Sequence, residues 1–393
     1  MPGTRNTLIA AGAVAAVAAA ALVLLPSGED GPSAAPEPTA RERAQATAER
    51  MAAADIVDVP VSFTVTNRNG SRLPCNSDGG EYTLRGHLTG PADALEQDDP
   101  AVTVYQHGQA AGEWFWRLDE PGYHHTEEMA LLGHVSLTLD RLGYGGGRPD
   151  GLAMCLGSQA DMTAQVIEQV RAGDYTLGEG DGGSDRVPDE PPAFDTVVLA
   201  GHHSGAQIAQ ITAYSFDGPA APDALALMAW SGTGVTDRAN ARFFGGLASC
   251  MQGGVPAEAE AGPPDPDGAD AAGYTYVDVG RTSYTRANFR DPATPVAALA
   301  AGLQDRTPCG DLGTQVEALA TDTRNLHRVE VPVLFAFADA DTRVSDGADH
   351  AGLFTGAPDT ETVTVADAGH YLVLEPGAAE LRTSLADWLE EQR

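Results

Sequence analysis

The chain has 393 residues, a formal net charge of −33 and 42% hydrophobic residues. All 23 of its basic residues are arginine. Acidity on this scale leaves no basic face for a phosphate backbone, which excludes nucleic acid as a partner, and it opposes docking on anionic lipid. A chain of this length buries a sizeable core without help from a metal.

In residues 1–26, Arg5 precedes an apolar run from Thr7 to Pro26 made of Ala, Val, Leu, Ile and one Gly. One positive charge followed by an apolar run is the layout of a secretory signal. The run is longer than an ordinary signal core and approaches the ~20 residues that span a bilayer, so N-terminal membrane anchoring is the other reading. No cysteine follows it, which excludes a lipoprotein anchor. Residues 27–54, rich in Pro, Ala and charge, read as a disordered linker. Either way the folded part is expected outside the cytoplasm.

Cys75, Cys155, Cys250 and Cys309 suit an oxidising compartment. They show no CxxC spacing, which argues against zinc. Pairing within proposed regions gives Cys75–Cys155 and Cys250–Cys309, each closing a loop that stabilises by ~4 kcal/mol on the chain-entropy model.

Val57–Thr66 and Glu81–Leu88 alternate polar and apolar residues around a turn-rich segment, which predicts an antiparallel hairpin. Short apolar runs then alternate with helical stretches. Strands are expected at Ala101–Tyr105, His134–Leu139, Thr196–Ala200, Ala224–Trp230, Val331–Phe337 and Glu361–Val365. Helices are expected at Ala160–Arg171, after Gly205, and at Ala378–Gln392. This alternation implies parallel β/α units whose ligands bind at the carboxyl ends of strands. From 231 to 328 it breaks, in a Gly-, Pro- and acid-rich stretch with aromatics at Tyr274, Tyr276, Tyr284 and Phe289. That stretch reads as an inserted cap between core segments 55–230 and 329–393.

Three strand-end features carry chemistry: Gly201-His202-His203-Ser204-Gly205, Asp339-Ala340-Asp341 and Gly369-His370. A turn residue, then an acid, then a late histidine is the chain order of a hydrolytic triad. With His107-Gly108 after a strand, VPVLFAFADAD and AGHYLVLEP, the chain resembles the α/β-hydrolase superfamily from about residue 57 onward. In particular it is similar to secreted actinobacterial members, and arginine without lysine beside abundant Ala, Gly and Pro suits a high-GC genome.

The resemblance implies an α/β fold with a mostly parallel central sheet flanked by helices and an inserted cap, and hydrolysis of a carboxylic ester or related acyl bond. Asp341 would orient His370 as general base, and the backbone N–H groups of Gln109 and Ser204 would form the oxyanion hole.

The departure lies in the elbow, which needs small residues two before and two after the nucleophile. Gly201 and Gly205 flank His203 at those distances, so a histidine holds the serine's place. Several readings stay open. The nucleophile has moved to Ser204, whose flanks are His202 and Ala206; His203 or a water attacks; His203, His370, Asp341 and His107 converge on a metal; or the fold survives as a non-catalytic protein binding a small ligand. His107 otherwise shapes its loop, and the segment's aromatics are more often packing than pocket. No dinucleotide or phosphate-binding Gly pattern is present, so no organic cofactor is expected.

Overall fold

The computed structural model describes residues 38–393 apart from 98, 146–148, 181 and 255–271. The apolar N-terminal run and the first part of the expected linker lie outside the described residues. Among those described, no helix is long and apolar enough to cross a membrane.

The second part of the expected linker is ordered, which corrects that reading. Residues Ala40–Ala53 form helix α1, opened by a capping box in which Thr39 and Glu42 satisfy each other's backbone N–H. Arg50 pairs with Glu127 at 2.7 Å, and Met51 is buried against Ile56 and Ala130. A short Ala- and Arg/Glu-rich sequence is marginal as an isolated helix; this tertiary anchorage fixes it.

The hairpin forms as expected from β1 (Ile56–Thr66) and β2 (Glu81–Pro91), paired antiparallel along their whole length. The chain continues through α2 (Ala92–Leu95), β3 (Ala101–Gln106), α3 (His125–Leu131), β4 (Val135–Leu139), α4 (Leu156–Ala172) and two short edge strands, β5 (Thr176–Leu177) and β6 (Gly182–Gly183). Then come β7 (Thr196–His202), α5 (Ser204–Ser215) and β8 (Ala224–Met228). After the 231–328 segment, β11 (Val333–Ala338), α10 (Ala348–Ala351), β12 (Thr360–Val365) and α11 (Ala378–Glu390) close the fold. The sheet runs β12-β11-β8-β7-β3-β4-β2-β1-β5, with β6 beside β1. Its β12-to-β4 half is parallel, and the pairings of β2 with β4 and β1 are antiparallel. Every residue of β4 and β8 is buried, as expected of strands covered on both faces.

Within 231–328 the described residues form α6 (Asp237–Met251), a two-stranded ribbon of β9 (Tyr274–Thr275) and β10 (Thr307–Pro308), and helices α7 (Arg281–Asn288), α8 (Pro295–Gly302) and α9 (Cys309–Asn325). Both disulfides pair as read from the sequence. Cys75–Cys155 ties the β1–β2 loop to the start of α4, and Cys250–Cys309 ties the end of α6 to the start of α9. Tyr274, Tyr276, Tyr284 and Phe289 are buried packing residues.

Candidate active site

The turn between β7 and α5 is built on His203. Strand β7 ends at His202, α5 begins at Ser204, and His203 between them has φ 53° and ψ −121°. A β-carbon makes this region costly, by about 1–3 kcal/mol, so the surroundings must enforce it. The His203 N–H donates to the Met228 carbonyl at 2.9 Å, and its carbonyl accepts from Gln207 N–H at 3.1 Å. A β-carbon on Gly201 would collide with Gly205, and one on Gly205 with the Gln106 carbonyl. The two flanking glycines are therefore steric requirements of the turn.

His202 is wholly buried and donates from Nε2 to the His370 carbonyl at 2.8 Å. It braces the loop that presents His370. Ser204 opens α5 fully buried, and its Oγ touches no polar partner among the described residues. It is absent from the described lining of the cavity, which includes His203, His370 and Gln109. As the first residue of the helix, Ser204 has a backbone N–H without an intrahelical acceptor.

Asp341 and His370 meet as the sequence order implies. His370 Nδ1–H donates to Asp341 at 2.9 Å (Oδ2) and 3.1 Å (Oδ1). Asp341 Oδ1 also accepts from the Arg343 and Val344 amides, at 2.7 and 3.3 Å. Asp339, on the surface, receives the Ala368 N–H and ties the two strand-end loops together. Burial pushes the Asp341 carboxyl up to about 6, partly offset by the amide hydrogen bonds and the Arg343 charge. Burial, then Arg343, His202 and Arg242, hold His370 well below the usual histidine range, so it is neutral at physiological pH. With Nδ1–H committed to Asp341, its lone pair lies on Nε2.

Arg343, His202, Asp278 and Asn288 belong to the site and were not legible as such. Arg343 donates to His203 Nε2 at 3.1 Å, to Asp278 at 3.0 Å and to Asn288 at 2.8 Å. A guanidinium only donates, so His203 Nε2 is the acceptor and the ring proton sits on Nδ1. Burial, then Arg343 and the neighbouring histidines, keep His203 neutral. The His203 and His370 rings meet edge-on with centroids 4.9 Å apart. His203 Nδ1 and His370 Nε2 are both covered and without a partner among the described residues. The one sequence hint for Arg343 is its place two residues after the acid.

His107 stands apart from this group. Its Nε2 accepts the Arg141 N–H at 3.1 Å and its Nδ1 bonds Gly108 O at 2.9 Å, so it shapes its loop. Among the described residues no three His, Cys, Asp or Glu side chains cluster as a metal site.

Over His203 and His370 lies a cavity of ≈ 240 Å³, enclosed by the ends of the core strands and by α6 and α9. Its aromatic walls are Trp230, Phe243 and Phe244, none of them among the aromatics singled out from the sequence.

The mostly parallel central sheet flanked by helices, with its strand–turn–helix at His203, defines an α/β-hydrolase fold. The chain is similar to a thermophilic esterase from Thermogutta terrifontis, with a TM-score of 0.53 and 14% identity over 84% of this chain and 99% of that one. It is also similar to a hydrolase from Pseudomonas aeruginosa, with a TM-score of 0.51 and 17% identity over 84% and 97%. Neither models of known protein families nor curated proteins match the sequence.

Proposed function

We propose that the protein hydrolyses a carboxylic ester or related acyl bond, with His203 as acyl acceptor and the Asp341–His370 pair as its base. The observation that carries this reading is the strained elbow itself: a non-glycine residue held at φ 53° between two obligatory glycines, edge-on to a histidine that Asp341 already orients. The imidazole N–H of His203 then plays the part of a serine hydroxyl. His370 Nε2 takes the Nδ1 proton as that nitrogen attacks the acyl carbon. The Arg343 N–H on Nε2 stabilises the charge that develops on the ring.

The N–H groups of Gln109 and Ser204 receive the oxyanion, so Ser204 serves through its backbone. Collapse expels the alcohol, which leaves with the proton from His370. Water, deprotonated by His370, then attacks the acyl-imidazole, frees the acid and restores His203. The two disulfides support an exported protein, since such bonds persist in oxidising compartments.

The test is turnover of short aryl esters by the wild type and three variants. His370→Ala and His203→Ala are each expected to lower kcat/KM by about a hundredfold or more, and Ser204→Ala to leave it unchanged. Full activity in His370→Ala ends the proposal. A second reading, a ligand-binding protein without turnover, is favoured by the Arg343 bond that occupies His203 Nε2 and by the covered Nε2 of His370. Saturable ligand binding with no ester turnover in the wild type would establish it instead.

A further inference from the structure

We propose that Asp278 is a positioning residue: its carboxylate, shared between Arg343 and Arg242, aims the Arg343 fork at His203 Nε2 and so keeps the His203 ring proton on Nδ1. As regulation of the site this rests on the acyl-hydrolase reading, in which that proton is the one His370 removes.

Arg343 is buried, and its Nη1 donates to His203 Nε2 at 3.1 Å. What fixes the direction of Nη1 is the other arm of the guanidinium. Nη2 has two hydrogens and meets two acceptors, Asp278 Oδ2 at 3.0 Å and Asn288 Oδ1 at 2.8 Å. The guanidinium is planar, so holding both hydrogens of Nη2 fixes the plane and with it the direction of Nη1. Asn288 is itself oriented, because its Nδ2 donates to the Tyr284 carbonyl at 2.9 Å and leaves Oδ1 for Arg343.

Asp278 adds charge to this frame. Its side chain is wholly buried, with Oδ2 toward Arg343 and Oδ1 paired with Arg242 of helix α6. Two guanidiniums so placed repel each other unless an acid lies between them. Asp341, the other nearby acid, is turned to His370 and to two backbone amides. An amide at position 278 fails on geometry as well as charge. It offers one acceptor oxygen, and its NH2 would meet the second arginine donor to donor. Arg242, Asp278, Arg343 and His203 thus form one relay from α6 to the turn. It starts midway along a lightly packed helix, since Gly246 is the one buried residue of α6.

The consequence lies in His203. Which nitrogen of a neutral imidazole carries the proton is set by the bond the other nitrogen makes, and the Arg343 N–H on Nε2 selects Nδ1–H. His203 Nδ1 has no partner among the described residues that would select this form by itself. With the fork turned away, the proton is free to move to Nε2.

The experiment is long-range proton–nitrogen correlation NMR at neutral pH on the full folded chain labelled with nitrogen-15 histidine. The His203 signals are assigned by their loss in His203→Gln. The wild type is expected in the Nδ1–H form. Asp278→Asn is expected to lose it as the main form, and Arg242→Gln, which leaves the carboxylate to Arg343, to keep it. Should Asp278→Asn not fold, the double variant Arg242→Met with Asp278→Leu exchanges the buried pair for apolar side chains, a change that is often neutral for stability, and should lose the Nδ1–H form as well. The proposal is overturned if wild-type His203 is in the Nε2–H form, if either folded variant lacking the Asp278 carboxylate keeps Nδ1–H, or if Arg242→Gln loses it too. Because the proton is read without turnover, an Nδ1–H wild type that cleaves no ester sinks the hydrolase reading alone. Ester cleavage by a wild type with the proton on Nε2 sinks this proposal alone.

Discussion

Replacing His203 by serine probes the whole site at once. The turn that holds residue 203 at φ 53° depends on Gly201, Gly205 and the bond to Met228, none of which the substitution touches. Serine removes the ring that lies edge-on to His370, 4.9 Å between centroids, and puts a hydroxyl at the elbow beside the His370 Nε2 lone pair. The Arg343 N–H that now meets His203 loses its acceptor, and the void left by the ring adds to the loss. Together these cost about 2–3 kcal/mol of stability, read as a lowered Tm. In exchange the base gains a serine to activate, worth about 10²–10⁴-fold in rate. Intact-mass analysis after a fluorophosphonate probe is the assay. The wild type should show no serine adduct, and His203→Ser should show one label per chain, mapped to residue 203. A folded His203→Ser protein that stays unlabelled would refute the argument that Asp341, His370 and the oxyanion amides retain hydrolase geometry. An adduct on Ser204 in the wild type would show that the hydroxyl beside the elbow is the nucleophile after all.

Two further predictions concern the frame of the site. Gly205→Ala drives a β-carbon into the Gln106 carbonyl and should destabilise the fold by at least about 2 kcal/mol, visible as a lower urea midpoint with an unchanged slope; a neutral result would mean that the elbow relaxes freely. Asp322, buried between α9 and α5, accepts from Gln207 at 2.9 Å and Tyr214 at 2.8 Å, and burial pushes its carboxyl up from 3.8 to about 7. The native state keeps this proton up to about pH 7, while the unfolded chain releases it near 3.8. Stability therefore falls as pH rises from about 4 to about 7, by at most about 1.4 kcal/mol per pH unit from this group. Asp322→Asn should flatten that slope in urea titrations, and an unchanged slope would show that Asp322 is already ionised in the folded chain.

Much of this molecule is written in local pattern. Period-two alternation marked β1 and β2, continuous apolar runs marked the parallel strands, and Gly201 and Gly205 located the β7–α5 turn because each glycine answers a collision the turn itself creates. The order of His203, Asp341 and His370 along the chain was enough to anticipate that Asp341 and His370 meet, since strand-end loops of a parallel sheet share one edge. Helix α1 was missed because its composition matches a linker; what orders it is contact with Glu127 and Ala130, far away in sequence, and with Ile56 at the start of β1. The tautomer of His203 depends on Arg343, 140 residues further on, and no spacing rule connects the two. The cavity walls come from the core strand ends together with α6 and α9, which Cys250–Cys309 ties to each other, and the sequence marks none of Trp230, Phe243 or Arg242 as facing one space. Local sequence determined where the backbone must turn and which side chains stand at strand ends. Only packing across the sheet and the 231–328 segment decided which nitrogen carries a proton, which hydroxyl is shut away, and which charges line the cavity, because those depend on neighbours supplied by distant chain.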